Sequence, residues 1–286
     1  VAKVAAGSEE AKRIDAALEK WRQGDLALDQ TWFVHVGDTS RALTEAAEQG
    51  TGEEGVKALT SEVRGLVVIT QTCDIVRECM MRPYVEVAPL VEVDEDVLRG
   101  VKRGQRPAYA FVPEMESQRL VADLDRVMTV EKSIVADWER TPGTTTDADA
   151  RAFAQALARK RERFAFPDDF NALAKKLQKR LSEKHEKSNA EGEALRSLRE
   201  IRVLATPSWD AETVEVFFWF IRDDEDLRED EHTAWDNHRK AWLKLVEAKG
   251  RYGQVEGVVV TLADMKALDY VDSDPLDLDH LSNAGT

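Results

Sequence analysis

The sequence predicts an α+β protein, on three grounds. Short β-type runs bounded by turn residues fill much of residues 24–130, helical periodicity fills 147–187, and residues 200–262 read strand, strand, helix, strand. The chain has 286 residues, 43% of them apolar and 33% charged, which is enough apolar material for a core and fits two domains of ordinary size.

Taken in order, Ser8 followed by Glu9 and Glu10 is a capped helix start, and Ile14, Leu18 and Trp21 recur at helical spacing along one apolar face. From Gly24 the period shortens. Residues 26–28, 32–36, 65–70, 84–90, 108–112 and 120–130 read as strands, 39–49 as a short helix and 50–55 as a flexible break, together predicting a small bent β-barrel or compact sheet. Residues 141–147 gather Pro, Gly and capping side chains and read as a linker. Helices follow over 147–163 and 168–187, split by Phe166 and Pro167, the second with a stripe of Leu173, Leu177 and Leu181. Residues 188–193 read as a turn. Strands at 201–205, 213–221 and 255–262, with a helix over 232–249, predict helices on one face of an antiparallel sheet. The expected division is an N-terminal helix and barrel over 1–140, a linker and basic helical arm over 141–199, and an α+β domain with an acidic tail over 200–286.

The net charge of −15 is unevenly spread. Residues 1–150 carry 18 Lys and Arg against 28 Asp and Glu, residues 151–202 carry 14 against 8, and residues 203–286 carry 8 against 19. The acidity excludes indiscriminate nucleic-acid binding but leaves room for a local basic site. Lys175, Lys176, Lys179, Arg180 and Lys184 are the candidates for tracking a phosphate backbone, RNA or DNA; Glu183 and Glu186 interrupt them, which favours a charged helix face instead. The apolar runs fall far short of the roughly 20 residues that span a bilayer, so no membrane partner is expected. Lys3, Glu9 and Glu10 stand where the apolar core of a signal peptide would lie, and the two cysteines form no scaffold, so a reducing cytoplasm is the expected compartment.

Four segments stand in a recognisable order: Arg22-Gln23-Gly24-Asp25, then Val63-Arg64-Gly65-Leu66-Val67-Val68-Ile69, then Tyr84-Val85-Glu86-Val87-Ala88-Pro89-Leu90, then the run from Leu124 to Ile134 containing Val130-Glu131-Lys132-Ser133. Over residues 22–137 the chain resembles the MazF/PemK growth-inhibitor toxins. The resemblance implies an SH3-like bent barrel and, for many members, metal-independent cleavage of single-stranded RNA. It places the family's catalytic Arg at Arg64 and its catalytic Thr at Val91, whose isopropyl group can neither donate a hydrogen bond nor move a proton. Residues 37–61 and the C-terminal half have no counterpart in it.

The most unusual polar segment is Thr70-Gln71-Thr72-Cys73-Asp74, directly after an apolar strand. Cys73 as nucleophile, His35 as base and Asp74 as orienting carboxylate make one catalytic arrangement; a buried small thiol and a turn-forming Asp make the structural alternative. His35, Asp38 and Cys73 could offer metal ligands, as could Asp272, Asp274, Asp277, Asp279 and His280, but neither set has a known ligand spacing, and neither a metal nor a cofactor is expected. Trp235, His238 and Trp242 share one helix face, expected to pack on the strand at 217–220.

Two functions remain. The first is a non-catalytic interaction or regulatory component of a bacterial system of the phage-defence or toxin–antitoxin kind, acting with a partner protein or with a second copy. The second is a diverged endoribonuclease in which Arg64 holds phosphate and Thr70, Thr72, His35 or Asp74 replaces the missing threonine.

Overall fold

A computed structural model describes residues 3–50, 52, 54–102, 104, 106–162, 164–185, 187–222 and 229–276. The chain is α+β and divides into two compact units, Val1–Arg161 and Glu162–Thr286. The division falls some fifteen residues beyond the expected linker, because the two helices of the basic arm go to different units.

The first unit runs α1 (Glu9–Leu18), β1 (Leu26–Ala27), β2 (Trp32–Asp38), α2 (Glu45–Glu48), β3 (Val56–Glu62), β4 (Leu66–Val68), α3 (Thr72–Ile75), β5 (Tyr84–Glu92), α4 (Glu95–Lys102), β6 (Tyr109–Phe111), a 3₁₀ turn (Pro113–Gln118), β7 (Leu120–Asp123), β8 (Met128–Glu131), α5 (Lys132–Val135) and α6 (Asp147–Arg161). Ser8 caps α1 by accepting from the Ala11 N–H. The expected helix over 39–49 is confined to α2, capped by Thr44, and the expected strand over 120–130 is cut in two at 124–127.

Six strands form one sheet in the order β1-β4-β5-β7-β6, with β8 also on β5. Among the described residues this sheet does not close into a barrel. Its alternation explains the continuous apolar run at Leu66–Ile69. Leu66 and Val68 join Ala27, Val85 and Val87 beneath α1, whereas Val67 and Ile69 join Leu26, Ala88, Leu90 and Phe153 on the other side. A strand buried on both faces needs no polar residues. On one edge β5 pairs with β4; on the other it pairs with β8 as far as Val87 and with β7 from Leu90. Pro89, which has no N–H to donate, falls in the gap between those two partners.

The Gly-Asp strand start is fixed from within. Asp25 is fully buried, accepts from the Arg22 N–H at 2.6 Å and from Arg140 Nε at 2.5 Å, and so ties β1 to residues 140–141, where Leu26 and Thr141 exchange backbone hydrogen bonds. A Cβ at Gly143 would collide with the Gly24 carbonyl, so the chain can close here only with glycine.

The second unit runs α7 (Asp168–His185), α8 (Ala190–Arg196), β9 (Leu198–Thr206), β10 (Val214–Arg222), α9 (Glu229–Leu243), β11 (Tyr252–Thr261), α10 (Ala267–Asp272) and β12 (Asp274–Pro275). Its sheet order is β11-β10-β9-β12. β9 and β10 are antiparallel, as expected, but β10 and β11 are parallel. The connection carrying α9 is long enough to return the chain to the same end of the sheet, which a parallel pair requires. The expected turn over 188–193 is cut short at Asn189, which accepts from the Gly192 N–H, and α8 takes up the chain from Ala190. Phe170, Ala174, Leu177 and Leu181 of α7 pack on Phe218 and Phe220 of β10, and Trp242 of α9 lies 5.1 Å from Phe220, ring to ring.

A clamp closes this unit. Arg251 reaches Asp169 through Nε at 2.6 Å and Nη2 at 3.0 Å, and the Tyr252 hydroxyl donates to the same carboxylate at 2.8 Å. The Arg251 and Tyr252 hydrogen bonds hold Asp169 well below the usual carboxylate range, while burial and then Asp169 push the Tyr252 phenol up to about 12. A carboxylate whose folded pKa lies below its unfolded value of about 3.9 binds fewer protons when folded, so its contribution is complete above that value and is lost as pH falls below it. Urea unfolding followed by tryptophan fluorescence is therefore expected to separate wild type from Asp169→Asn by a constant margin above about pH 5. The margin narrows below about pH 4, and a constant margin down to pH about 2.5 would mean that the ionised clamp is not what stabilises this unit.

Candidate functional site

The polar segment after β4 is built into the junction between α1, β5 and α5. Thr70 Oγ1 accepts from the Glu86 N–H at 2.6 Å. Thr72 Oγ1 accepts from the Gln23 N–H at 3.1 Å, and Gln23 Nε2 donates to the Ile69 carbonyl at 2.8 Å. Each threonine thus satisfies a main-chain donor that the strand and turn leave over. Ile75 of α3 is fully buried in the core beneath α1.

The group that organises this segment is Lys132, only 1% exposed. Its ammonium donates to the carbonyl of Asp74 at 2.9 Å and to that of Arg77 at 2.7 Å, at the C-terminal end of α3, where helical carbonyls lack partners and favour a cation. Burial lowers the Lys132 pKa, and the negative charge of Asp15 opposes that shift. Asp15 in turn accepts from the Cys79 N–H at 2.7 Å. Burial, then the Asp15 hydrogen bond, push the Cys79 thiol up, so it stays protonated and unreactive. Lys132 lay within the last resemblance segment without being singled out. The sequence signal was period two: Met128, Val130 and Lys132 alternate with exposed Thr129 and Glu131, so the lysine points inward in phase with the core.

The proposed catalytic groups do not converge. Arg64 and Thr70 stand at opposite ends of one extended segment, six residues and about 20 Å apart. Arg64 is exposed, with Nη2 3.9 Å from Glu92, a carboxylate it shares with Arg119 at 3.1 Å. Its main chain bonds to Leu90, the residue before Val91, and Val91 packs against Leu98, Val101 and Val121. Cys73 is exposed rather than buried, and its Sγ donates to Gln71 Oε1 at 3.7 Å. Asp74 faces Arg77 at 3.7 Å and Arg82 at 4.0 Å. His35 pairs with Leu59 across the β2–β3 ribbon and stacks on Phe33, its Nε2 buried without a hydrogen-bond partner; no interaction joins it to Cys73 or Asp74.

The basic residues of α7 are largely answered within their own unit. Arg180 binds Glu191 through two hydrogen bonds of 2.9 and 2.8 Å, Lys176 lies 3.7 Å from Glu247, and Lys179 lies 3.7 Å from Glu183. Burial pushes Glu191 up, but Arg180 and the Trp242 indole outweigh it and hold the carboxylate below its usual range. Lys175 and Lys184 make no ion pair among the described residues. At the end of α6, Arg159 donates to the Gly104 carbonyl at 2.7 Å, Lys160 pairs with Asp125, and Arg161 lies 3.3 Å from Glu86.

Among the described residues no group of three His, Cys, Asp or Glu side chains is placed to hold a metal, and no helix is long and apolar enough to cross a membrane. Asp277, Asp279 and His280 of the acidic tail lie outside the described residues. Comparison with protein-family models, with curated proteins and with solved structures finds no match.

Lys132→Met keeps volume but removes both hydrogen bonds, leaving the part-buried carbonyls of Asp74 and Arg77 without this partner. The expected cost is about 1–3 kcal/mol in urea unfolding, with faster hydrogen exchange at residues 74–79. An unchanged midpoint would show that the ammonium is not the strut of this segment.

Proposed function

We propose that the chain is a non-catalytic interaction component, built on a MazF/PemK-like barrel, of a bacterial system of the phage-defence or toxin–antitoxin kind. The order of the four sequence segments supports the family reading. So does the long strand β5, which carries β4 on one edge and β8 then β7 on the other, an arrangement suited to a strongly bent small sheet.

The observation that carries the non-catalytic reading is the setting of Arg64. A phosphate-binding arginine needs an unopposed guanidinium and a nearby proton donor. Here the guanidinium has Glu92 as its neighbour, and the adjoining side chain is Val91, packed in an apolar cluster. The hydroxyls that could substitute stand at the far end of β4 and are engaged by backbone amides. What that far end offers to solvent suits a protein partner better than a reaction. Val76, Met80, Met81, Tyr84 and Ile134 are exposed around the 76–84 loop and α5, which the Lys132 N–H to Pro83 carbonyl bond joins. Methionine and tyrosine are the side chains that adaptable contact surfaces favour.

The test is incubation of the purified chain with a pool of single-stranded RNA, without added metal. Wild type, Arg64→Ala and Val91→Thr are all expected to leave the RNA intact. Cleavage by wild type that Arg64→Ala abolishes would establish the endoribonuclease reading instead. Cleavage by Val91→Thr alone would show that one hydroxyl separates this chain from an active enzyme.

A further inference from the structure

The β2–β3 ribbon is open in a way the rest of the first unit is not. It is a two-stranded sheet, and no other strand among the described residues pairs with it. In its antiparallel register Val34 faces Thr60, Val36 faces Ala58, and Asp38 faces Val56. The bonds flanking this register, Thr39 N–H to Gly55 carbonyl and Val63 N–H to Thr31 carbonyl, fix its phase. Odd-numbered residues of both strands bond across the ribbon, whereas Val56, Ala58, Thr60 and Glu62 direct their N–H and C=O groups away from β2.

The same alternation sorts the side chains. Leu59 points to the covered face, where Ala47 of α2 also lies close to Gly37. The other face presents Val34, Val36, Val56, Ala58 and Thr60, without a charge between Asp38 and Glu62, and Val36 and Val56 are 73% and 74% exposed. The outer edge of β2 is partly occupied, the Val34 N–H meeting Met128 Sδ at 3.4 Å. Among the described residues no hydrogen-bond partner meets the outward main-chain groups of β3. Exposed edges of this length are normally blunted by proline, a bulge or charge; β3 has neither proline nor bulge, and its charges are Lys57, on the Leu59 side, and Glu62, at its end.

We propose that β3 pairs antiparallel with β3 of a second copy of this chain, joining two ribbons into one four-stranded sheet. The strand is suited to itself. Full overlap of residues 56–62 puts Leu59 on the two-fold axis, Ala58 opposite Thr60, Val56 opposite Glu62 and Lys57 opposite Ser61, so no like charges face each other. Two residues beyond each end, the same register sets Glu54 against Arg64 of the second copy. The pairing supplies about eight backbone hydrogen bonds and merges the two uncharged faces into one. All of the pairing strand but Glu62 lies in residues 37–61, which have no counterpart in the toxin family, and the pairing holds whether or not the chain cuts RNA.

Sedimentation velocity from about 1 to about 100 µM tests it. Wild type is expected to reach twice the 32.2 kDa chain mass. Ala58→Pro, which removes an N–H unused within the ribbon, and the double variant Ala58→Lys with Thr60→Lys, which sets lysine against lysine across the axis, are expected to remain monomeric with unchanged circular dichroism. Hydrogen exchange on wild type is the readout that needs no variant. The amides of Ala58 and Thr60 gain protection as concentration rises, while those of Leu59 and Ser61, bonded within the ribbon, are protected throughout. A wild type monomeric at every concentration, a dimer that survives both variants, or Ala58 and Thr60 amides indifferent to concentration would overturn the proposal.

Discussion

One buried ammonium sets the shape of the first unit's polar end. Taking a lysine charge out of water costs several kcal/mol, and it persists only where its donors are met. Lys132 meets two carbonyls at the C-terminal end of α3, with the Asp15 carboxylate near enough to oppose the effect of burial. Those carbonyls belong to the loop that carries every polar residue of the 70–82 segment. The lysine therefore decides which of them face water. Asp74, Arg77 and Arg82 turn outward around it, and Ile75 and Cys79 turn inward. Asp15 completes the arrangement by holding the far side of the loop to α1.

The two units bury their sheets differently, and this determines where free surface remains. In the first unit the central strands are covered on both faces, by α1 on one and by α6 through Phe153 on the other. Such a sheet has no face to offer, so what is left exposed are its loops and the two-stranded ribbon that grows out of it. In the second unit α7, α8 and α9 contribute to the core on one face of a four-stranded sheet, and edge strand β12 is only two residues long.

How far the sequence could be read depended on element length. Helices α1, α6 and α7 and strands β10 and β11 are long enough for period to speak, and their predicted positions lie within a few residues of those observed. Helices of four residues such as α3 and α5 complete barely one turn, and no periodicity can announce them. The parallel pairing of β11 was invisible for another reason: it depends on which way the α9 crossover turns, a property of the connection rather than of any strand. At the site, the chain order Thr70-Gln71-Thr72-Cys73-Asp74 looked like a reactive cluster because polar residues after an apolar strand often are. The same residue types also serve as turn and main-chain partners, and only the positions of Gln23 and Glu86, 47 residues before Thr70 and 16 after it, distinguish the two uses.

The distribution of charge shows the same difference between order along the chain and order in space. Residues 151–202 form a basic block in sequence, which reads as one arm able to follow a phosphate backbone. In the folded chain the block is divided. The basic end of α6 is matched to Gly104, Asp125 and Glu86 in the first unit, and the basic side of α7 to Glu191, Glu247 and Glu183 in the second. Lysine and arginine near the C-terminal ends of helices also answer the helix dipole there. A surface whose cations are already paired with carboxylates releases few counterions on meeting a polyanion, so it gains little of the free energy that drives nucleic-acid binding. Arg64, also singled out for phosphate, stands beside Glu92 in the same way, which leaves Lys175 and Lys184 as the phosphate candidates without an ion pair among the described residues. An excess of carboxylates over lysines and arginines, placed so that most of the cations find one locally, favours apolar surface such as the ribbon over charge in the proposed association.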